Sequence, residues 1–175
     1  GDFEIKSSAA QIVVTVTGFS VTYDGTEHVA TSKTNGLPNG YTADVVLDHD
    51  KLTKVGTDTA VIKDVKIFNT TKEDVTTSFT NVDTTSTAAI EITKRPVKIV
   101  VANDSKTIGD ADPVFKDATL TNAIGNELAK IDLSVSRKNK NEEKEGVYQD
   151  VLVTKDSAAD LESTYANYSF TVTPG

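Results

Sequence analysis

Apolar and polar residues alternate in short runs along this chain, and the period is two far more often than 3.6. Gln11–Thr17 is rich in β-branched residues and reads as a strand. Tyr41–Leu47, Thr59–Phe68, Thr76–Val82 and Ala88–Thr93 read likewise, with room for a bulge in Thr59–Phe68. Lys98–Ala102, Val114–Leu120, Ile131–Arg137, Gly146–Thr154 and Tyr165–Thr173 continue the series, and Ile131, Leu133 and Val135 share one face. Phe3–Lys6 and His28–Thr31 are shorter candidates. Tyr23-Asp24-Gly25, Asn35–Gly40 and Thr107–Pro113 are turns or loops, because Asp-Gly and Asn-Gly supply the positive φ that tight turns require. Asp48–Lys54 and Lys138–Glu145 are charged connections. One helical turn within Asn122–Lys130 and a short helix at Ala158–Leu161 are the modest helical signals. The expected fold class is mainly β.

The order of these segments occurs twice. Ile12–Thr17 precedes Val21-Thr-Tyr-Asp-Gly-Thr-Glu-His-Val-Ala30, and Val97–Val101 precedes Ser105-Lys-Thr-Ile-Gly-Asp-Ala-Asp-Pro-Val-Phe115. Each copy then has a strand beginning with Asp (Asp44, Asp132), a Gly-led strand (Gly56, Gly146) and a late Asn (Asn81, Asn167). The repeat predicts two tandem small β-rich domains, each of roughly 80–85 residues and able to fold alone. The first is expected over residues 1–95 with an N-terminal strand at 3–6. The second is expected over 96–175, with Lys94-Arg95-Pro96 as the boundary, since Pro disfavours a central ladder. Ile90-Glu-Ile-Thr93 closes the first copy, and the second is expected to lack that last strand. Phe3-Glu-Ile-Lys6 stands before the first copy as Ile90–Thr93 stands before the second. Where the sequence is cut accounts for this most simply. Strand exchange, with Phe3–Lys6 of one molecule on the edge of another's second domain, is the sharper expectation.

Composition narrows the function. The net charge of −8 argues against nucleic acid and against an anionic membrane surface, both of which require clustered Lys and Arg. With no Cys among 175 residues, disulfides, thiolate metal sites and Cys nucleophiles are excluded. No stretch approaches the ~18–20 apolar residues of a membrane span. Aromatic residues are only 6%, so no broad sugar-stacking platform is obvious.

Thr107-Ile-Gly-Asp-Ala-Asp-Pro-Val-Phe115, after a strand and the Lys94-Arg95-Pro96 start, resembles the repeat modules called MBG domains in bacterial surface adhesins. Gly109, Asp110, Pro113 and Phe115 carry the likeness, and Ile108 stands where the family pattern has Tyr. Asn167-Tyr168 followed by Pro174-Gly175 is similar to the family's closing segment. Tyr23-Asp24-Gly25 is similar to a related variant. The resemblance covers nearly the whole chain in two copies and rests more on order than on any one motif. It implies a β-grasp-like domain, with an Ig-like β-sandwich as the alternative, and exported modules of the bacterial cell surface without catalytic residues. Neighbouring repeats and host glycoproteins or glycans are the partners it suggests.

Candidate chemistry is sparse. Asp48-His49-Asp50 could suggest a metal or a general base, but His28 is the only other His, and a solvated loop is the simpler account. Asp104, Asp110 and Asp112 are candidate Ca²⁺ ligands without the spacing of an EF-hand loop, and turn formation explains them more simply. Lys98 with Asn81 or Asn167 could form an isopeptide cross-link, although matched Asn residues are commonly turn formers. Tyr23, Tyr41, Tyr148, Tyr165 and Tyr168 could anchor a ligand, with Tyr148 and Tyr168 expected as core or edge residues of their strands. There is no Gly-x-Ser-x-Gly elbow and no Gly-rich phosphate loop. The expectation is a non-catalytic, cofactor-free repeat fragment of an extracellular bacterial surface protein, acting as a stalk or adhesion module. A stand-alone carbohydrate- or glycoprotein-binding module is the alternative.

Overall fold

A computed structural model describes residues 1–175. The protein is mainly β, and the chain divides into two compact units. Gly1–Val21 and Thr26–Thr93 make the first; Thr22–Gly25 and Lys94–Gly175 make the second. The division therefore falls between Thr93 and Lys94 rather than at residue 95, and the turn at Tyr23-Asp24-Gly25 packs with the second unit.

The first unit contains β1 (Ile12–Thr17), β2 (Phe19–Thr22), β3 (His28–Val29), β4 (Thr31–Asn35), β5 (Thr42–Asp48), β6 (Lys51–Leu52), β7 (Gly56–Phe68), β8 (Val82–Asp83) and β9 (Thr87–Thr93). One sheet has the order β4-β1-β8, with β1 antiparallel to β4 and parallel to β8. A second has the order β2-β9-β7-β5, and β3 pairs with β6 in a two-stranded third. β1 buries Ile12, Val14 and Val16 while Thr15 and Thr17 face water, the alternation expected of a half-buried strand. Val16 of the first sheet meets Ala60 and Ile90 of the second, with Ala30 beside them, in one buried cluster. Gly18 turns the chain from β1 to β2 where a Cβ would lie 1.9 Å from Ala89 O, so no larger residue fits that approach. Lys63 is the extra residue of a bulge, because Val46 and Leu47 of β5 face Asp64 and Ile62 of β7.

The second unit contains β10 (Arg95–Val100), β11 (Thr119–Thr121), β12 (Val135–Arg137), β13 (Leu152–Thr154), α1 (Ala158–Thr164) and β14 (Tyr168–Thr173). Its main sheet has the order β11-β10-β14, with β10 antiparallel to β11 and parallel to β14. This matches the β4-β1-β8 sheet, and the match reaches single hydrogen bonds. Ile12 N donates to Asn81 O at 2.9 Å, and Arg95 N donates to Asn167 O at 3.0 Å. The paired Asn residues thus open equivalent parallel ladders. β12 and β13 pair antiparallel, as β5 and β7 do. Ser157 and Asp160 form a reciprocal capping box that starts α1, whose Leu161 is buried.

Several sequence expectations are corrected. Phe3–Lys6 is not a strand; Phe3 and Ile5 are 91% and 87% exposed, and the segment's nearest pairing is a single bridge from Ser8 to Phe79. Pro96 is not a linker residue but lies inside β10. Arg95 N and Val101 N point toward the β14 side, so the missing N–H of Pro96 falls on the β11 side, where pairing begins only at Lys98. Thr76–Val82 starts as a 3₁₀ turn, Thr76–Ser78, with Thr76 tied to Asp74. Asn122–Lys130 is a series of turns without a helix, opened by Asn122 at φ 76°. The expected strands at Val114–Leu120, Ile131–Arg137 and Gly146–Thr154 contract to Thr119–Thr121, Val135–Arg137 and Leu152–Thr154. Alternation marks a possible face, but a strand also requires a partner, and these residues have none along most of their length. β2 and β6 were not expected; each is short and gains its identity only by pairing, β2 with β9 and β6 with β3.

Candidate functional site

The second unit carries a cleft of ≈ 760 Å³ between two irregular segments, Asn103–Phe115 and Arg137–Leu152. Its rim combines ionic and apolar groups. Arg137 Nη2 lies 2.9 Å from Asp112 Oδ1 and 2.9 Å from Glu143 Oε1. Lys106 Nζ lies 3.1 Å from Asp112 Oδ1 and 2.6 Å from Glu143 Oε2. Two cations and two carboxylates therefore alternate around one ring. The Arg137 guanidinium, then the Lys106 ammonium, hold the Asp112 carboxyl below the usual range. Lys106, then Arg137, do the same for Glu143. Arg137 also donates to the carbonyls of Lys140 and Glu142, so its fork fixes the loop that the sequence shows only as a charged connection. Ile108 and Val147 stand exposed beside the cleft, and Tyr148 donates to Lys144 O at 2.8 Å. Asn139 Oδ1, in the cleft lining, is buried without a hydrogen-bond partner.

A second cluster in the same unit joins both family-like motifs. The Tyr168 hydroxyl donates to Glu127 Oε2 at 2.5 Å, and the Tyr23 hydroxyl donates to Glu127 Oε1 at 3.0 Å. The two rings meet edge to face at 5.6 Å. Tyr168 is 2% exposed, and burial, with Glu127 beside it, pushes its phenol up to about 12. Tyr23 is raised in the same direction, first by burial, while a hydrogen bond from Asn167 works the other way. Gly25, at φ 79°, permits the turn; a Cβ there would sit 3.3 Å from Ile124 Cγ2. Arg95 completes the arrangement by donating to Asn122 O, Asn122 Oδ1 and Tyr23 O. Asp24 lies on the exposed side of this turn. The chemistry is that of a lock on the fold, since every polar atom involved is spent on a neighbour.

The structure disperses the other candidates. Asp112 is engaged by Arg137 and Lys106, Asp104 caps Ser105 N at 2.8 Å, and Asp110 closes the Thr107–Asp110 turn through its N–H. Gly109, at φ 89°, is the residue that lets this turn form. The three Asp residues are thus not gathered as cation ligands, and no group of three His, Cys, Asp or Glu converges anywhere. Pro113 and Phe115 line the cleft. His49 Nδ1 lies 3.2 Å from Asp58 Oδ2 on an exposed edge, while the His28 ring packs on Phe19. Lys98 pairs with Thr171, whereas Asn167 lies beyond the other end of β10, about 13 Å along the strand, so no isopeptide geometry exists there. Asn81 instead accepts from Ile12 N in the first unit.

Sequence reasoning missed Glu127, Lys106 and Arg137. Glu127 has no local signal, because its partners lie 41 and 104 residues away in the chain. The arginines did leave one: the chain has 18 Lys and Arg, of which only Arg95 and Arg137 are Arg, and both are multidentate anchors.

No protein-family model, curated protein or solved structure matches this chain.

Proposed function

We propose that this chain is a tension-bearing repeat segment of a bacterial surface protein, serving as stalk or adhesion module outside the cell. The observation that carries the reading is the parallel ladder between β10 and β14. Arg95–Val100 pairs with Tyr168–Thr173 in one uninterrupted register. β10 begins the second unit and β14 closes it, so a pull on the two ends shears this ladder and loads its hydrogen bonds together. A ladder peeled from one end would instead yield bond by bond. Lys94 alone separates β9 from β10. The MBG resemblance and the doubled β4-β1-β8 and β11-β10-β14 pattern support the same reading, and the β-grasp-like assignment of each unit belongs to it.

Single-molecule stretching of the chain tests this. Two discrete unfolding events are expected, the second unit's at the higher force, because β1 and β8 share only the register Ile12–Val13 with Val82–Asp83. Featureless extension at low force would remove the stalk reading. The cleft of ≈ 760 Å³ and the unpartnered Asn139 Oδ1 favour the alternative, a carbohydrate- or glycoprotein-binding module. Saturable binding on a glycan array or to mucin, lost in Asn139→Ala, is the outcome that supports it.

A further inference from the structure

We propose that Asn39 is a site of spontaneous modification, at which the main chain itself removes the side-chain amide. The backbone N of Gly40, once deprotonated by base, attacks Asn39 Cγ. A C–N bond forms, the Cγ–Nδ2 bond breaks, and Nδ2 leaves as ammonia. Water then opens the resulting cyclic imide at either carbonyl, so position 39 becomes aspartate or isoaspartate. Glycine at the following position makes the attack easiest, because it carries no side chain to crowd the ring. Asn35-Gly36, Asn39-Gly40 and Asp24-Gly25 all meet that requirement. The folded structure separates them.

Asn39 and Gly40 are both exposed and form the centre of a turn. Tyr41 N donates to Pro38 O at 3.0 Å, and Gly40, at φ 79°, has the third-residue conformation of a type II turn. The peptide unit between Asn39 and Gly40, whose N is the nucleophile, takes no part in that cross bond. It can rotate without breaking any strand pairing, since β5 begins only at Thr42. A Cβ on Gly40 would meet only the tip of the Thr70 side chain, 2.8 Å from Cγ2. Reaching the reactive geometry here is a local opening of a surface turn, the least costly kind.

Asn35-Gly36 is also exposed, but it is held. Asn35 is the last residue of β4 and pairs with Val13 of β1. Gly36 packs on the main chain that leads into β1: a Cβ there would lie 2.3 Å from Gln11 O and 3.4 Å from Ile12 Cα. Bringing Gly36 N onto Asn35 Cγ therefore means lifting the end of β4 off β1. Asp24-Gly25 is held as well. Arg95 Nη1 donates to Tyr23 O, the Tyr23 hydroxyl donates to Glu127, and Gly25 lies close to Ile124. A carboxylate is also a far poorer target for a nucleophile than an amide. The carboxylate formed at position 39 adds negative charge to a chain already at −8, at a place where water solvates it. The proposal does not depend on the cell-surface reading.

The test incubates the full chain in mildly alkaline buffer, folded and in denaturant. Each position is followed by digestion and fragment mass spectrometry, with isoaspartate scored separately. In the folded chain Asn39 is expected to deamidate at least about tenfold faster than Asn35, which must wait for its strand end to open. In denaturant the two rates are expected to converge, because both Asn residues precede Gly. Asn39→Ser is expected to abolish the early release of ammonia and to leave the Asn35 rate unchanged. An Asn39 that keeps its amide, comparable rates for Asn35 and Asn39 in the folded chain, isoaspartate arising first at position 24, or a preference for Asn39 that persists in denaturant would overturn the proposal.

Discussion

Tyr168 shows how one residue can hold several segments of one unit. Its ring is buried in the core of the second unit, and its hydroxyl bonds Glu127 on a turn whose other oxygen takes Tyr23. Tyr168→Phe keeps the ring and removes the hydroxyl. A loss of about 1–2 kcal/mol is expected for a hydrogen bond of this kind, measured by chemical denaturation. An ultraviolet titration supplies an independent check. The folded phenol is raised to about 12, so its contribution is complete below about pH 10 and fades as pH climbs toward the folded value. The phenylalanine variant is expected to lose that latest-ionising component and the alkaline decline that accompanies it. Glu127 was illegible in the sequence because nothing near it in the chain announces a partner, whereas the Tyr-Asp-Gly and Asn-Tyr motifs were plain.

At the scale of elements, the ring of Lys106, Asp112, Arg137 and Glu143 ties two loops that have almost no regular structure. Both carboxyls are depressed, so the ring contributes fully above about pH 5 and is lost as pH falls through the lowered values. Amide exchange in Lys138–Gly146 is therefore expected to quicken selectively below that pH, while β10 and β14 remain protected. Added salt is expected to weaken the same loop only modestly at neutral pH, since Glu143 is half exposed while Lys106 and Arg137 are mostly covered. Pro96 makes the converse point. A proline inside a strand paired on both sides reads as a break, yet the structure spares it because its N position faces the one stretch β11 does not reach. Pro96→Ala is expected to change stability by less than about 0.5 kcal/mol by denaturant titration, and Val97→Pro to cost ~3 kcal/mol or more, because Val97 N lies on the β14 side. The alternation in Gln11–Thr17, Tyr41–Leu47 and Ala88–Thr93 was legible because those strands have partners. The alternation in Gly146–Val151 misled for the opposite reason.

For the whole molecule, the sequence by itself determined that the protein is mainly β and that its order occurs twice. Both facts are local: period-two alternation, β-branched runs and Asn-Gly or Asp-Gly turns act over a few residues, and repetition needs only comparison along the chain. The paired Asn81 and Asn167 were visible as well, although not that each takes the first N–H of its unit's central strand. Tertiary structure decided the rest. It selected which alternating segments became strands, assigned Tyr23-Asp24-Gly25 to the second unit, and closed the ionic ring around the cleft. Each of these depends on hydrogen bonds and charges between residues far apart in sequence. A strand, unlike a turn, exists only when another backbone lies beside it.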